Sequence, residues 1–216
     1  MVAGVLRLNS SLELTEELEA VLQRASRSIV QVRNGHAGVG AGILWSADGW
    51  ILTNNHVLGQ PVGELTVILP DGNAFPARLL GRDPEVDLAL VKIEGSNLPQ
   101  AEIADSSKLV VGQLVFAIGH PWGQPGYVTA GILSALGQVA TRGGAKIPIL
   151  RTDLALAPGN SGGPLLNAAG EVIGINTMIV GGDQGLAIPS QVTIEFVSRI
   201  SRENGPSYGN HRGAAL

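Results

Sequence analysis

The hydrophobic rhythm of this chain changes near residue 27. From Thr15 to about Ser26 the apolar positions Leu14, Leu18, Val21, Leu22 and Ala25 recur at helical spacing. Thr15 is placed to cap that helix, with Glu16 and Glu17 at the positive end of its dipole. The period then shortens. "SIVQV", "GAGILWS", "GWILTNN", "ELTVILP", "NAFPARLL" and "DLALVKI" are short apolar runs rich in strand formers, parted by turn pairs such as Asp48-Gly49 and Asp71-Gly72. A loop-like stretch, "EGSNLPQAEIADSSK", interrupts the series. Strand-like runs resume with "LVFAIG", "YVTAGILSAL", "IPILRTD", "EVIGIN" and "GLAIP". A second helix is expected from Ser190 to about Glu203, with Val192, Phe196, Val197 and Ile200 on one face and Gly205-Pro206 as its stop. Many short strands at regular spacing predict an all-β protein of two sandwiches or barrels, with a hinge near residue 100. The expected units are an N-terminal segment and helix (1–27), a first barrel (28–105), a second barrel with the C-terminal helix (106–205) and a loose tail (206–216).

Composition narrows the chemistry. The 216 residues suffice for one large domain or two small ones with real cores. With no cysteine there is no disulfide framework, thiolate nucleophile or cysteine-based zinc site, and neither metal nor cofactor is expected. A net charge of −4 argues against a nucleic-acid partner. No G-x-x-x-x-G-K-[ST] loop is present to bind ATP. Arg7 and Asn9 interrupt what would be the apolar core of a signal peptide, and no stretch approaches the roughly 18 apolar residues of a membrane span. The expected compartment is cytoplasmic if Met1 is the native start, and extracytoplasmic if the chain has been shortened.

One stretch asks for a different explanation. In "DLALAPGNSGGPLLN", Ser161 sits among glycines and prolines, where serine is usually a turn residue. A serine nucleophile needs a base, and the base needs an orienting partner. The histidines are His36, His56, His120 and His211. His56 ends the buried-looking strand "GWILTNNHVL", and Asp87 begins the apolar run of "DPEVDLALVKI". Taken singly, these are a core histidine, a turn-capping acid and a turn serine. Together they follow the His, Asp, Ser order of one convergent form of the catalytic triad. His120 lies in a Gly-Pro-rich loop with less support from neighbouring strands.

A competing assignment takes Gly159-Asn160-Ser161-Gly162-Gly163 as the G-x-S-x-G elbow of α/β-hydrolases, with Asp183 and His211 following. That elbow requires a helix directly after the serine. Here Gly162, Gly163 and Pro164 follow, and no alternating βαβ pattern supports a parallel sheet.

With these positions in hand, "GILWSADGWILTNNHVL", "DPEVDLALVKI", "AIGHPWG", "YVTAGILSAL", "TDLALAPGNSGGPLLNAAGEVIGIN" and "GLAIPS" resemble the protease domain of the HtrA/Deg proteins, which are chymotrypsin-like serine peptidases. The resemblance runs in order from about residue 28 to residue 200. It implies two six-stranded antiparallel β-barrels with His56 and Asp87 on the first and Ser161 on the second. It implies an oxyanion hole from the N–H groups of Gly159 and Ser161. It also implies an apolar, shallow pocket from Leu156, Ile179 and Val180 that favours small aliphatic residues before the cut. Ala155 stands where trypsin-like enzymes carry a pocket acid, and Asp153 is out of step with it. The substrate would be an unfolded or extended polypeptide, added as a strand near Ile175 to Met178.

Two departures qualify the resemblance. HtrA proteins usually carry PDZ domains after the protease domain, whereas this sequence stops about a dozen residues beyond its last helix, so control by a PDZ-bound peptide is not expected of it. The insertion usual before the histidine strand is reduced to "SADG". "GHPWGQPGYV" resembles an activation loop, and residues 1 to about 14 stand where relatives form homotrimers. Rival uses of the same residues are a non-cleaving, chaperone-like holdase and an esterase or acyl transferase.

Overall fold

In the computed structural model, residues 8–35, 38–120, 126–141, 143–180 and 184–204 are described, with backbone alone for 8–12, 179 and 180. Helix α1 (Leu8–Ser26) leads into β1 (Ile29–Asn34), β2 (Gly38–Leu44), β3 (Trp50–Thr53), β4 (Leu65–Ile68), β5 (Ala74–Asp83) and β6 (Leu88–Ile93). These strands close an antiparallel barrel in the order β1-β2-β3-β6-β5-β4. The second barrel uses β7 (Leu114–Gly119), β8 (Tyr127–Ala140), β9 (Lys146–Thr152), β10 (Pro164–Leu166), β11 (Val172–Val180) and β12 (Gln184–Pro189). It closes as β10-β11-β12-β9-β8-β7, also antiparallel. Helix α2 (Ser190–Asn204) follows directly.

The near-continuous apolar runs follow from strands buried on both faces, since successive side chains point to opposite sides. On β6, Ala89, Val91 and Ile93 fill the first barrel with Val30, Val32, Leu44 and Ile51. Leu88 and Leu90 face outward into a second layer. On β7, Val115 and Ala117 fill the second barrel with Leu133, Leu150 and Ile173, while Phe116 and Ile118 join Leu88 and Leu90. This middle layer, with Trp50, Ile175, Leu186 and Ile188, glues barrel to barrel. Helix α2 closes it with Phe196, Val197 and Ile200, and α1 adds Leu18, Leu22 and Ala25. Gly81 on β5 lets α2 approach, because a Cβ there would stand 2.5 Å from Ile200 Cδ1.

Two sequence expectations are corrected here. Helix α1 begins at Leu8, so Thr15 lies inside it and does not cap it. The apolar period marks the helix only from Leu14 on, and the polar positions Asn9, Ser10 and Ser11 before it carry no such signal. The Pro164–Leu166 stretch after Ser161, absent from the expected strand-like runs, forms the strand β10. Among the described residues no helix is long and apolar enough to cross a membrane.

Candidate active site

After β3 the chain leaves the first barrel through Asn54 and Asn55 and enters a single tight turn, His56–Leu58. Leu58 is fully buried in the barrel and anchors that turn. Asp87 immediately precedes β6 and has φ 54°, a left-handed conformation that costs a non-glycine residue about 1–2 kcal/mol. Its backbone is held there from the histidine side. Asn54 Nδ2 donates to the Asp87 carbonyl at 3.0 Å and the Asn55 N–H donates to the same oxygen at 3.2 Å. Asn54 is completely buried, so the pairing of these loops is part of the barrel wall.

The Asp87 carboxylate then collects three donors. The His56 N–H reaches Oδ1 at 3.0 Å, His56 Nδ1 lies 2.7 Å from Oδ2, and Thr177 Oγ1 donates to Oδ2 at 2.5 Å. The His56 side chain remains about half exposed, at 48%, against 21% for Asp87. One end of the imidazole is therefore fixed while its ring stays open to solvent.

Ser161 lies on the loop between β9 and β10, and that loop is shaped by glycine. Gly159 has φ 107° and Gly162 has φ 82°, both in the region that favours glycine. A Cβ on Gly162 would also collide with the Ala41 carbonyl and the Thr53 hydroxyl of the first barrel. The Ala41 N–H donates to the Ser161 carbonyl at 2.8 Å, which docks the serine loop onto β2. On the other side, Gly162 donates to the Asn176 carbonyl and Asn176 donates to the Gly163 carbonyl, each at 2.9 Å. The Ser161 hydroxyl donates to the Thr177 carbonyl at 3.2 Å. No hydrogen bond among the described residues joins it to His56.

Thr177 is the residue that sequence reasoning missed. Its hydroxyl holds Asp87 and its carbonyl holds Ser161, so it links the two barrels' contributions. The available signal was a single hydroxyl in "VIGINTMIV", an otherwise hydroxyl-free strand.

Two cavities flank this point. The smaller, about 240 Å³, lies beside Ser161 and is walled by Leu156, Ala157, Pro158, Asn176, Thr177 and Met178. It has no charged wall. The Asp153 carboxylate is used elsewhere, accepting the Ile132 N–H at 2.5 Å. Gly185 on β12 makes room for Leu156, since a Cβ there would stand 2.9 Å from Leu156 Cδ1. Ile179 and Val180 continue β11 from this wall, and their side chains lie outside the described set. The larger cavity, about 710 Å³, lies against His56, Asp87, Thr177 and Met178. The edge of β11 is taken by Pro164 at Ile175 and by the glycine pair at Asn176, so the strand edge beside Ser161 starts at Thr177, two residues later than expected.

His120 sits apart from this arrangement. It is 6% exposed, and burial pushes its imidazole below the usual value, offset in part by the Val30 backbone. Its backbone N–H donates to the Gly159 carbonyl at 3.0 Å, so His120 helps seat the serine loop. Asn160 is buried, and neither polar atom of its amide has a partner among the described residues, whereas its N–H and carbonyl bond to Ala157 and Gly163. Of the expected activation loop, 119–128, residues 121–125 lie outside the described residues, as do His36, Asp183 and His211. No helix follows Ser161; β10 does, and this removes the α/β-hydrolase elbow. Among the described residues no His, Asp and Glu cluster could hold a metal.

The chain resembles known proteins in sequence and fold. Residues 40–175 match the family model of the trypsin-like peptidase domain. A probable periplasmic serine endoprotease, DegP-like, from Pseudomonas putida (strain GB-1) is 45% identical over 176 residues, 79% of this chain and 36% of the relative. A protein of the same description from Chlamydia pneumoniae is 42% identical over 175 residues, again 79% of this chain and 36% of the relative. The chain thus spans about a third of the length of these curated relatives. Among solved structures, the HtrA-type protease AlgW with tripeptide superposes with a TM-score of 0.79 at 36% identity, over 86% of this chain and 64% of that one. The chain belongs to the trypsin-like peptidase domain family and is of its HtrA/DegP type.

Proposed function

We propose that this chain is a serine endopeptidase unit that hydrolyses peptide bonds of unfolded or damaged polypeptides without ATP, using Ser161, His56 and Asp87. The observation that carries this reading is the run of contacts from His56 Nδ1 through Asp87 and Thr177 to the Ser161 hydroxyl. An ionised Asp87 only accepts hydrogen bonds, so the imidazole proton sits on Nδ1 and Nε2 is the free base. Ser161 Oγ attacks the scissile carbonyl as its proton passes to Nε2. The C–N bond then breaks as that proton moves to the leaving amine, and water repeats the cycle on the acyl-serine ester.

The developing oxyanion would take the N–H groups of Gly159 and Ser161. In support, no hydrogen bond among the described residues uses either group. Loss of one such donor typically costs roughly 100- to 1,000-fold in rate. The uncharged cavity at Leu156 suits a small aliphatic residue before the cut, with Ile179 and Val180 as its further wall. The relatives' description as periplasmic supports an extracytoplasmic location. A homotrimer, tested by sedimentation of the purified chain, completes the proposal.

The second reading is a holdase on the same fold. It is favoured by one observation, the bonding of the Ser161 hydroxyl to Thr177 instead of His56. Casein and a tightly folded protein, each incubated with the chain, separate the readings. The endopeptidase cuts casein much faster than the folded protein. Equal rates on both contradict selection for unfolded chains, and suppressed aggregation without any cleavage establishes the holdase.

A further inference from the structure

We infer that Met178 is an oxidation site, at which a hydroperoxide converts the thioether to a sulfoxide and weakens the binding of polypeptide beside Ser161. The effect on cleavage rests on the peptidase reading of Ser161. The chain has no cysteine and two methionines, Met1 and Met178. Thiols and thioethers are the side chains a hydroperoxide oxidises most readily, so this chain concentrates that chemistry on very few atoms. Met178 is 52% exposed, whereas Asn176 and Thr177 before it on β11 are buried.

The strand sets the sulfur at this place. Asn176 pairs with Ala187 and Met178 with Leu186, so Thr177 is the extra residue of a β-bulge. The bulge gives the Thr177 hydroxyl to Asp87 and leaves Met178 on the surface. Thr177 and Met178 are also the residues shared by the two cavities that flank Ser161. Met178 is the exposed one of the two, so it forms the ridge between them. The walls on either side are largely apolar: Leu156, Ala157 and Pro158 at Ser161, and Ile149, Leu186 and Ile188 at His56. A thioether suits such a ridge, being apolar, polarisable and flexible.

In the oxidation step a sulfur lone pair attacks one oxygen of hydrogen peroxide, the S–O bond forms and the O–O bond breaks. Two electrons pass from sulfur to peroxide. The proton of the transferred oxygen passes to the departing hydroxide, which leaves as water. The product carries a strong dipole and a hydrogen-bond acceptor where the thioether had neither. The Thr177 hydroxyl is already committed to Asp87. A polypeptide lying over the ridge therefore takes water from the sulfoxide oxygen without that hydroxyl in exchange, which costs binding. His56, Asp87 and Ser161 are chemically unchanged, so the effect falls on binding and not on the chemical step. A dithiol-dependent sulfoxide reductase reverses it: the oxygen leaves as water while the dithiol becomes a disulfide.

The test exposes the intact chain to hydrogen peroxide and maps the added oxygen by mass spectrometry. Cleavage of an apolar quenched peptide and the fluorophosphonate rate at Ser161 are followed in parallel. Binding of the same peptide, labelled, is read by fluorescence anisotropy on Ser161→Ala. Met178 is expected to oxidise as readily as methionine in a short peptide. KM and Kd should then rise about 5- to 100-fold, with kcat and the fluorophosphonate rate kept within about twofold, and the reductase should restore both. Met178→Leu, compared only with itself before and after peroxide, should show no change, and because it retains Met1 it assigns the effect to Met178. The inference is overturned if Met178 stays unoxidised while the peptide methionine is consumed, if full oxidation leaves Kd unchanged, or if Met178→Leu weakens equally. No cleavage before peroxide, with Kd raised by oxidation, removes the peptidase reading and leaves the oxidation site. Neither cleavage nor a change in binding removes both.

Discussion

The corner that carries His56 and Asp87 and the loop that carries Ser161 are held in opposite ways. At the corner, side chains do the holding. The left-handed Asp87 is fixed by Asn54 and Asn55, and its carboxylate fixes the imidazole with Thr177 as a further donor. At the serine loop, main chain does the holding. Ala41, Asn176 and the glycines seat the backbone, while the Ser161 hydroxyl rests on a carbonyl. On the proposed roles, the corner is held in advance as the base, and the Ser161 hydroxyl would leave the Thr177 carbonyl to reach it, in keeping with catalytic contacts that tighten when substrate binds.

Changes at the corner should therefore cost rate without loosening the fold. Asp87→Asn keeps the shape but removes the charge and the fixed tautomer. It should lower kcat on a peptide substrate by about 10,000-fold, with a melting temperature near that of the parent chain. Thr177→Val, which keeps the branched shape and deletes the hydroxyl, should cost about 10- to 100-fold, the scale of one hydrogen bond to a charged group. Thr177→Ser should recover most of that loss, and failure to recover would place the effect in packing.

The fold was legible where the pattern is strong and hidden where an element is short. Runs such as "LVFAIG" and "DLALVKI" reveal their strands because both faces are buried and the apolar residues are consecutive. Strand β10 spans only Pro164–Leu166, too few positions for any period, and becomes a strand through pairing with β11 and β7. His56, Asp87 and Ser161 could be picked out from their chain order and glycine context. Thr177 could not, because its role arises from contacts 90 residues away at Asp87 and 16 away at Ser161. The cavity walls were hidden for the same reason: Met178, Ile149 and Val86 come together only when the barrels meet.

The smallest expected effect concerns the serine loop's neighbour His120. Its pKa is lowered by burial, so the unfolded chain binds this proton more readily than the folded one. The stabilisation is complete above the unfolded value near 6.5 and is lost as pH falls through the lower folded value. Melting temperature should drop more steeply on acidification in the parent chain than in His120→Asn, and equal slopes would remove His120 as the source.

The most direct measurement is reaction of the native chain with a fluorophosphonate, followed by mass mapping of the adduct. A serine activated by the corner gives one adduct on Ser161 that disappears in His56→Ala. An unmodified Ser161 in a folded chain, or an adduct of equal yield in His56→Ala, would contradict the assembly of base and nucleophile into one site.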